Sequence, residues 1–155
     1  LLEGAPLPPK GSIVGVSDVA VCEECDLEKG EKVISRFYRP YEIVPEAGVC
    51  LLEQGIVCMG PATRGGCGAL CPEVGIGCRG CYGPMPGVED QGGKMLSAIA
   101  SVIGAGDETM EDDELEREIQ AVVDTIADPA GTFYRFSMAH SLLQRANVNG
   151  KGEAA

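Results

Sequence analysis

Hydrophobic positions follow a helical period only in the C-terminal half of the chain. Apolar residues recur at helical spacing across residues 88–103, which predicts a helix with one buried face. Its predicted stripe consists of Met95, Leu96, Ile99 and Val102. A second helix is predicted to begin after a cap at Thr109 and to end at residues 128–131, Asp-Pro-Ala-Gly. Its predicted stripe consists of Leu115, Ile119, Val122 and Ile126.

The N-terminal half lacks such a period and is rich in residues that interrupt regular structure. Residues 5–12 form a proline-rich linker, and a weak alternation over residues 13–21 predicts a short strand. Residues 60–87 contain nine glycines, four prolines and four cysteines, a composition that disfavours regular secondary structure. Such a segment suits a loop wrapped around an inorganic centre, where glycines let backbone amides approach closely. We therefore predict an irregular, loop-rich domain with a few α-helices and little strand.

The few aromatic residues fall mainly in two groups. Phe37, Tyr38 and Tyr41 lie within residues 32–44, where the pattern favours local packing over nearby cysteines rather than a ligand groove. The second group lies in residues 132–138, and this segment fits a satellite core and an interface strip equally well.

Composition and charge limit the classes of partner. The chain has 22 glycines, 10 prolines, 3 phenylalanines and no tryptophan, so it has few large side chains for a core and is expected to need metal staples. Its net charge of -12 disfavours nucleic acid and anionic membrane as partners, because both bind basic patches. No run of 18 apolar residues exists, so no membrane span is predicted.

Eight cysteines fall within 60 of the 155 residues and divide into two groups of four. The first cysteine set is Cys22, Cys25, Cys50 and Cys58, and the second cysteine set is Cys67, Cys71, Cys78 and Cys81. Eight soft sulfur ligands with two Cys-x-x-Cys pairs match two four-coordinate sites for zinc or for an iron–sulfur cluster. Disulfides are the alternative, but bridged Cys-x-x-Cys pairs would be strained. Cys71-Pro72 also matches the end of ferredoxin-type ligand runs, so we expect a reducing compartment.

The spacing of the ligands favours iron and sulfur over zinc. Zinc ribbons usually supply two Cys-x-x-Cys pairs to each metal, and neither set here has two. Spread ligands and a glycine-rich wrap suit a cluster that is larger than one ion and needs many amide donors. A zinc-stapled structural interaction module nevertheless remains open at this point.

The cysteines belong to longer motifs. Residues 22–25 read Cys-Glu-Glu-Cys, residues 58–72 read Cys-Met-Gly-Pro-Ala-Thr-Arg-Gly-Gly-Cys-Gly-Ala-Leu-Cys-Pro, and residues 78–84 read Cys-Arg-Gly-Cys-Tyr-Gly-Pro. With residues 50–55 and 128–136, these motifs resemble the small subunit of NiFe-hydrogenases over nearly the whole chain. The resemblance is closest to the soluble cytoplasmic, heterodisulfide-reductase-linked type of methanogens and some bacteria, which reduces methyl viologen but not deazaflavin.

The resemblance implies a division of the protein. In that family the small subunit carries three clusters in a line, and an N-terminal α/β flavodoxin-like domain holds the proximal one. Residues 1–4 resemble the end of a helix and begin without methionine, so we expect that the N-terminal domain is missing from this chain. We expect residues 1–20 to be a linker, 21–87 the two-cluster domain, 88–127 covering helices, and 128–155 an interface segment and tail.

The resemblance also implies the cofactors and partners. The first cysteine set would hold the distal 4Fe-4S cluster and the second the medial one, with cysteine at residue 22 where periplasmic relatives have histidine. No residue would be catalytic. Electrons from dihydrogen oxidation on a NiFe large subunit would pass to a downstream iron–sulfur or flavoprotein subunit, toward heterodisulfide reductase in the cytoplasm. A relay module in a non-hydrogenase redox complex is the further alternative.

Three other polar residues have open roles. Arg79 lies within the second cysteine set and Arg64 three residues before it; both either stabilise a reduced cluster or are ordinary surface or backbone-capping arginines. His140, the only histidine, is expected to lie on a helix surface or an interface and not to bind a metal.

Overall fold

A computed structural model describes residues 4, 6–10, 12–30, 34–103 and 112–143. Within these ranges the protein has five helices: α1 (Val21–Glu24), α2 (Leu70–Glu73), α3 (Gln91–Ile103), α4 (Asp112–Val123) and α5 (Pro129–Phe133). Short 3-10 turns span Leu52–Gln54, Gly60–Ala62 and Met138–His140. The described part contains isolated β-bridges but no β-sheet, so the predicted loop-rich fold with a few helices is confirmed.

The predicted strand at residues 13–21 is wrong. Residues 12–19 are irregular, Ala20 makes a single antiparallel bridge to Arg64, and helix α1 begins at Val21. The segment still lies beside residues 63–65, because the Ser17 N–H donates to the Gly65 carbonyl at 2.9 Å. The Glu23 carboxylate accepts a hydrogen bond from the Ala20 N–H at 3.0 Å. This cap starts helix α1 where the strand was predicted to continue.

Helix α3 is the central packing element, and it begins later than predicted. Met95 and Ile99 are fully buried, as the spacing predicted, and Ile103 continues the same line. Leu96 is a wrong assignment, since 39% of its surface is exposed. Met95, Ile99 and Ile103 lie four residues apart on the face of α3 that packs against the 3-10 turn Gly60–Ala62 and helices α4 and α5. Leu96 lies beside this face and is therefore partly exposed.

Helix α4 carries the predicted buried stripe where its residues are described, but it ends at Val123 and not at the predicted residues 128–131. Val122 and Ile126 are buried and Ile119 is half-buried, whereas Thr109 and the side chain of Leu115 lie outside the described residues. Asp128 caps the next helix, α5, after a turn at residues 124–127. It adopts a left-handed conformation (φ 49°), accepts the Gly131 N–H at 3.0 Å, and precedes a proline at the first helical position.

One hydrophobic core joins the two halves of the chain. It includes Phe37 from the first aromatic group and Phe133 and Tyr134 from the second. The Phe37 N–H donates to Thr125 Oγ1 at 2.8 Å, which fixes the first group against the C-terminal segment. Burial is therefore confirmed for Phe37, but its hydrogen bond is to the C-terminal segment, Tyr41 is 79% exposed, and the group lines a groove. The second group divides in the same way, because Phe136 is 57% exposed.

Asp90 holds the C-terminal segment to the start of α3. Its carboxylate accepts the N–H groups of Gly93 and Leu142, each at 2.7 Å, and the hydroxyl of Tyr134. Although burial opposes it, this set of donors lowers the pKa of Asp90, with the backbone bonds as the main cause. The Tyr134 ring lies directly on Gly92, where no side chain intervenes.

No helix in the described ranges combines the length and the apolar character that crossing a membrane requires.

Candidate metal centre

The first cysteine set gathers around helix α1. Cys22 lies in the helix and Cys25 follows it, while Cys50 is fixed by a hydrogen bond from its N–H to the Glu28 carbonyl at 2.8 Å. Burial, followed by the nearby Cys58 and Cys50 thiols, raises the pKa of Cys22 to about 12. Burial also raises the pKa of Cys25, and Cys50 contributes in the same direction. The other three thiols of the set all influence Cys22, and a shared site for the four stays a prediction.

The second cysteine set is brought together in part. Burial is the main cause that raises the pKa of Cys78, and the nearby Cys81 and Cys67 thiols raise it further. A hydrogen bond from the Thr63 side chain acts in the opposite direction on the same pKa. Cys71 lies exposed on helix α2 and is not among the main influences on the Cys78 pKa, so its membership of the set stays a prediction.

The two sets meet at Cys58 and Cys78. The Cys78 N–H donates to Cys58 Sγ at 3.3 Å, and the Met59 N–H donates back to the Cys78 carbonyl at 2.9 Å. Burial raises the pKa of Cys58 to about 11 despite amide donors from Gly60 and Cys78. The backbone amide of Cys78, in the second set, is therefore hydrogen-bonded to the sulfur of Cys58, in the first set. Both cysteines belong to the hydrophobic core.

Carboxylates tie the loops of the two sets together. Glu24, between Cys22 and Cys25, accepts the Gly66 N–H at 2.6 Å and the Gly68 N–H at 3.0 Å, which flank Cys67. Glu73, two residues after Cys71, accepts the Asp26 N–H at 2.9 Å. Charged acceptors make strong hydrogen bonds to backbone amides. These two glutamates therefore hold together loops that no β-sheet joins in the described residues. The sequence alone does not show which amides Glu24 and Glu73 bind, because these amides lie 42 to 47 residues away along the chain.

Substitution of Glu24 tests this tie. We expect Glu24→Gln to lower the free energy of unfolding by about 1 to 2 kcal/mol, because the amide group keeps one acceptor oxygen and loses the charge. Hydrogen exchange at the Gly66 and Gly68 amides should accelerate in this variant. Glu23→Gln is the matched control, since Glu23 only caps α1 locally. Equal acceleration at residues 66 and 68 in both variants would contradict the assigned role of Glu24.

The residues around the sulfurs fit a sulfur-bound inorganic group. Gly60 leaves room beside two of them, because a Cβ there would lie 2.9 Å from Cys22 Sγ and 3.5 Å from Cys58 Sγ. The Nε of Arg64 is buried, and no atom of the described residues accepts a hydrogen bond from it. In the same ranges, no three His, Cys, Asp or Glu side chains form a group that could hold a single metal ion. The thiols and the position at Gly60 without a side chain fit a group that binds through sulfur and needs space beside Cys22 and Cys58.

The remaining predicted residues lie at the margins of this centre. Arg64 is half-buried, and its backbone N–H donates to the Gly83 carbonyl at 3.0 Å. Arg79 is exposed and lines a groove of about 280 Å³ that also involves Tyr38 and Ile76. His140 is exposed in the last 3-10 turn, which agrees with the predicted surface position.

Comparison with known proteins decides the family. The G subunit of the F420-non-reducing hydrogenase from Methanothermus fervidus is 46% identical to this chain over 134 residues, which cover 83% of the chain and 100% of that protein. The chain belongs to the family of F420-non-reducing hydrogenase G subunits. No protein-family model matches the chain.

Other members of this family are longer. The protein of the same name from Methanothermobacter marburgensis is 42% identical over 137 residues, which cover 86% of this chain and 42% of that protein. The iron-sulfur G subunit of the F420-non-reducing hydrogenase from Archaeoglobus profundus is 40% identical over 116 residues, covering 72% of this chain and 35% of that protein. The chain thus spans all of one relative and about two fifths or less of the others.

The family agrees with the resemblance drawn from the motifs at a coarse level. These relatives are named as hydrogenase subunits, and one name includes the word iron-sulfur. F420 is the deazaflavin that the resemblance named. The prediction that the chain is part of a hydrogenase-type oxidoreductase that does not reduce F420 is therefore confirmed at the level of the family.

Proposed function

We propose that this chain is the electron-relay part of a hydrogenase complex and holds two 4Fe-4S clusters, one on each cysteine set. The observation that carries the proposal is the contact between Cys58 and Cys78, which brings one buried cysteine of each set together in the core. The family of hydrogenase subunits to which the chain belongs supports the same function. Redox carriers need to be close together, and this contact supports the proposal because it joins the two cysteine sets directly.

The chemistry assigned to this chain is electron transfer without bond making. When bound, each cluster supplies a one-electron carrier. The chain's own residues bury Cys58 and Cys78, and the Cys78 N–H donates to Cys58 Sγ. The Cys78 N–H, bonded to Cys58 Sγ, gives a short route from one set to the other. No acid, base or nucleophile is required from any side chain.

The finer assignments are part of the same proposal. We assign the distal cluster to the first cysteine set and the medial cluster to the second, including Cys71. We assign residues 1–20 to a linker, 21–87 to the cluster domain, 88–127 to covering helices and 128–155 to an interface segment and tail. The partners are a NiFe large subunit and a downstream iron–sulfur or flavoprotein subunit of a cytoplasmic heterodisulfide reductase complex.

Metal analysis and spectroscopy of the anaerobically isolated protein test the proposal. We expect iron and inorganic sulfide in equal amounts, sufficient for two 4Fe-4S clusters, and paramagnetic signals from two clusters after reduction with dithionite. In the intact complex, dihydrogen should produce the same signals. A colourless protein that holds zinc and does not respond to dithionite would identify a structural interaction module instead. Clusters that dihydrogen never reduces in the complex would identify a relay in a different redox enzyme.

A further inference from the structure

A groove of about 280 Å³ lies beside the point where the two cysteine sets meet. Its lining residues include Tyr38, Arg39, Tyr41, Ile56, Ile76 and Arg79, and we call it the arginine groove. Val57 and Gly77 also line it, and they directly precede Cys58 and Cys78 in the chain. A Cβ at residue 77 would overlap the Val57 carbonyl, so the two backbones touch there. The groove is therefore one residue along the chain from each cysteine of the contact.

The arginine groove is positively charged in a strongly acidic protein. The chain has 24 acidic and 12 basic residues, yet the charged residues that line the groove in the described part of the chain are Arg39 and Arg79. Both are exposed, and neither guanidinium forms an ion pair with another described residue. The nearby Glu42 carboxylate is engaged elsewhere, by Arg36 at 3.7 Å and by the Arg39 backbone N–H at 2.7 Å. Two arginine side chains are thus available to an anionic partner.

Exposed apolar side chains extend the groove over the neighbouring surface. Val44 is 92% exposed and Val74 is 71% exposed. The loops that carry them are adjacent, because a Cβ at Gly75 would lie 3.4 Å from Pro45 Cγ. Sites that enclose a small molecule usually have volumes of about 300 to 1,000 Å³ and cover most of the ligand's surface. This groove is smaller and its apolar surface continues outward, which suits a protein segment.

We propose that the arginine groove binds an acidic segment of the downstream subunit that accepts the electrons. Carboxylates of that segment pair with Arg39 and Arg79, and its apolar side chains cover Tyr41 and Val44. Contacts between redox partners are small and steered by charge, whereas permanent interfaces are larger and more apolar, so the groove fits the first class. The inference rests on the proposed function, because it names the surface through which the proposed relay passes electrons on.

Charge reversal in the intact, anaerobically isolated complex tests the inference. We expect Arg39→Glu/Arg79→Glu to slow the dihydrogen-driven reduction of the acceptor subunit at low salt by at least about tenfold, because repulsion replaces charge steering. Dihydrogen should still reduce the two clusters of this chain, as followed by electron paramagnetic resonance. Arg117→Glu/Arg135→Glu is the matched control. It changes the net charge equally at two exposed arginines that do not line the groove, and it should keep the wild-type rate.

Tyr41→Ala provides a second variant that keeps the charge and lies away from the cysteines in the chain. Because Tyr41 is largely exposed, its truncation should not unfold the protein, yet the same rate should fall about fivefold. A photoreactive p-benzoylphenylalanine in place of Tyr41 identifies the occupant after irradiation of the complex. We expect the cross-linked peptide to be an acidic segment of the acceptor subunit.

Four results would overturn the inference. They are a cross-link to the large subunit or to a second copy of this chain, equal slowing in Arg117→Glu/Arg135→Glu, loss of dihydrogen reduction of this chain's own clusters in Arg39→Glu/Arg79→Glu, and an unchanged rate in both groove variants. Absence of any iron–sulfur signal in the wild-type protein would instead overturn the proposed function.

Discussion

Cys25→Ala is expected to remove one of the two clusters and leave the other intact, and Cys81→Ala is expected to do the reverse. Each residue is the second cysteine of a Cys-x-x-Cys pair, and neither takes part in the contact between Cys58 and Cys78. A cluster that loses one of four thiolate ligands is not retained stably, so each variant should lose about half of the iron and one paramagnetic signal.

These two variants serve as controls for each other. They change the same residue type in the same local motif, and they differ only in the cysteine set that they disrupt. Iron analysis and electron paramagnetic resonance of the anaerobically isolated variants give the result directly. Loss of the same signal from both proteins would show that the eight cysteines are not divided as we propose.

Gly92→Ala is expected to destabilise the protein by about 1 to 3 kcal/mol, as overpacking in a core does. A Cβ at residue 92 would lie 2.2 Å from the Cζ of Tyr134, far inside van der Waals contact. The ring has to move, and its hydrogen bond to Asp90 is then broken. Because Asp90 also accepts the Leu142 N–H, the attachment of the C-terminal segment to helix α3 weakens. Urea denaturation followed by circular dichroism measures the change.

Gly93→Ala is the matched control for that experiment. It lies one residue further in the same helix, and the nearest atom to its added Cβ is Asp90 Oδ1 at 3.4 Å, an ordinary contact. Alanine has the higher helix propensity, so this variant should be neutral or stabilised by up to about 1 kcal/mol. Equal destabilisation of the two variants would mean that the tyrosine contact is not responsible.

Local patterns in the sequence were sufficient for the elements that depend on local spacing. Helix α3 follows from apolar residues at every fourth position, whereas the predicted end of the second helix was wrong: α4 ends at Val123, and Asp128 caps a new helix. The strand expected before Cys22 was wrong because alternation was weak, and a local cap at Glu23 starts a helix there. Leu96 was predicted to be buried on α3 but is 39% exposed. Apolar spacing predicts the centre of the buried face of a helix, whereas the elements that pack against the helix determine how wide that face is.

The long-range hydrogen bonds of the site could not be predicted in this way. Glu24 and Glu73 are two of many acidic residues, and only the folded chain shows which backbone amides they accept from. Thr63 is one polar residue in a glycine-rich loop with no period. Gln91, whose side chain donates to Thr63 Oγ1, did carry a signal, since it lies four and eight residues before Met95 and Ile99 and therefore on the buried face of α3.

The carboxylate ties have a consequence for how the protein forms. Gly66 and Gly68 lie 42 and 44 residues from Glu24, and Asp26 lies 47 residues from Glu73. Long loops must close before such contacts can form, and closure is slow because its entropy is lost before the contacts compensate for it. The two cysteine-bearing segments can therefore order separately, and the hydrogen bonds to Glu24 and Glu73 that join them should be among the last contacts to form.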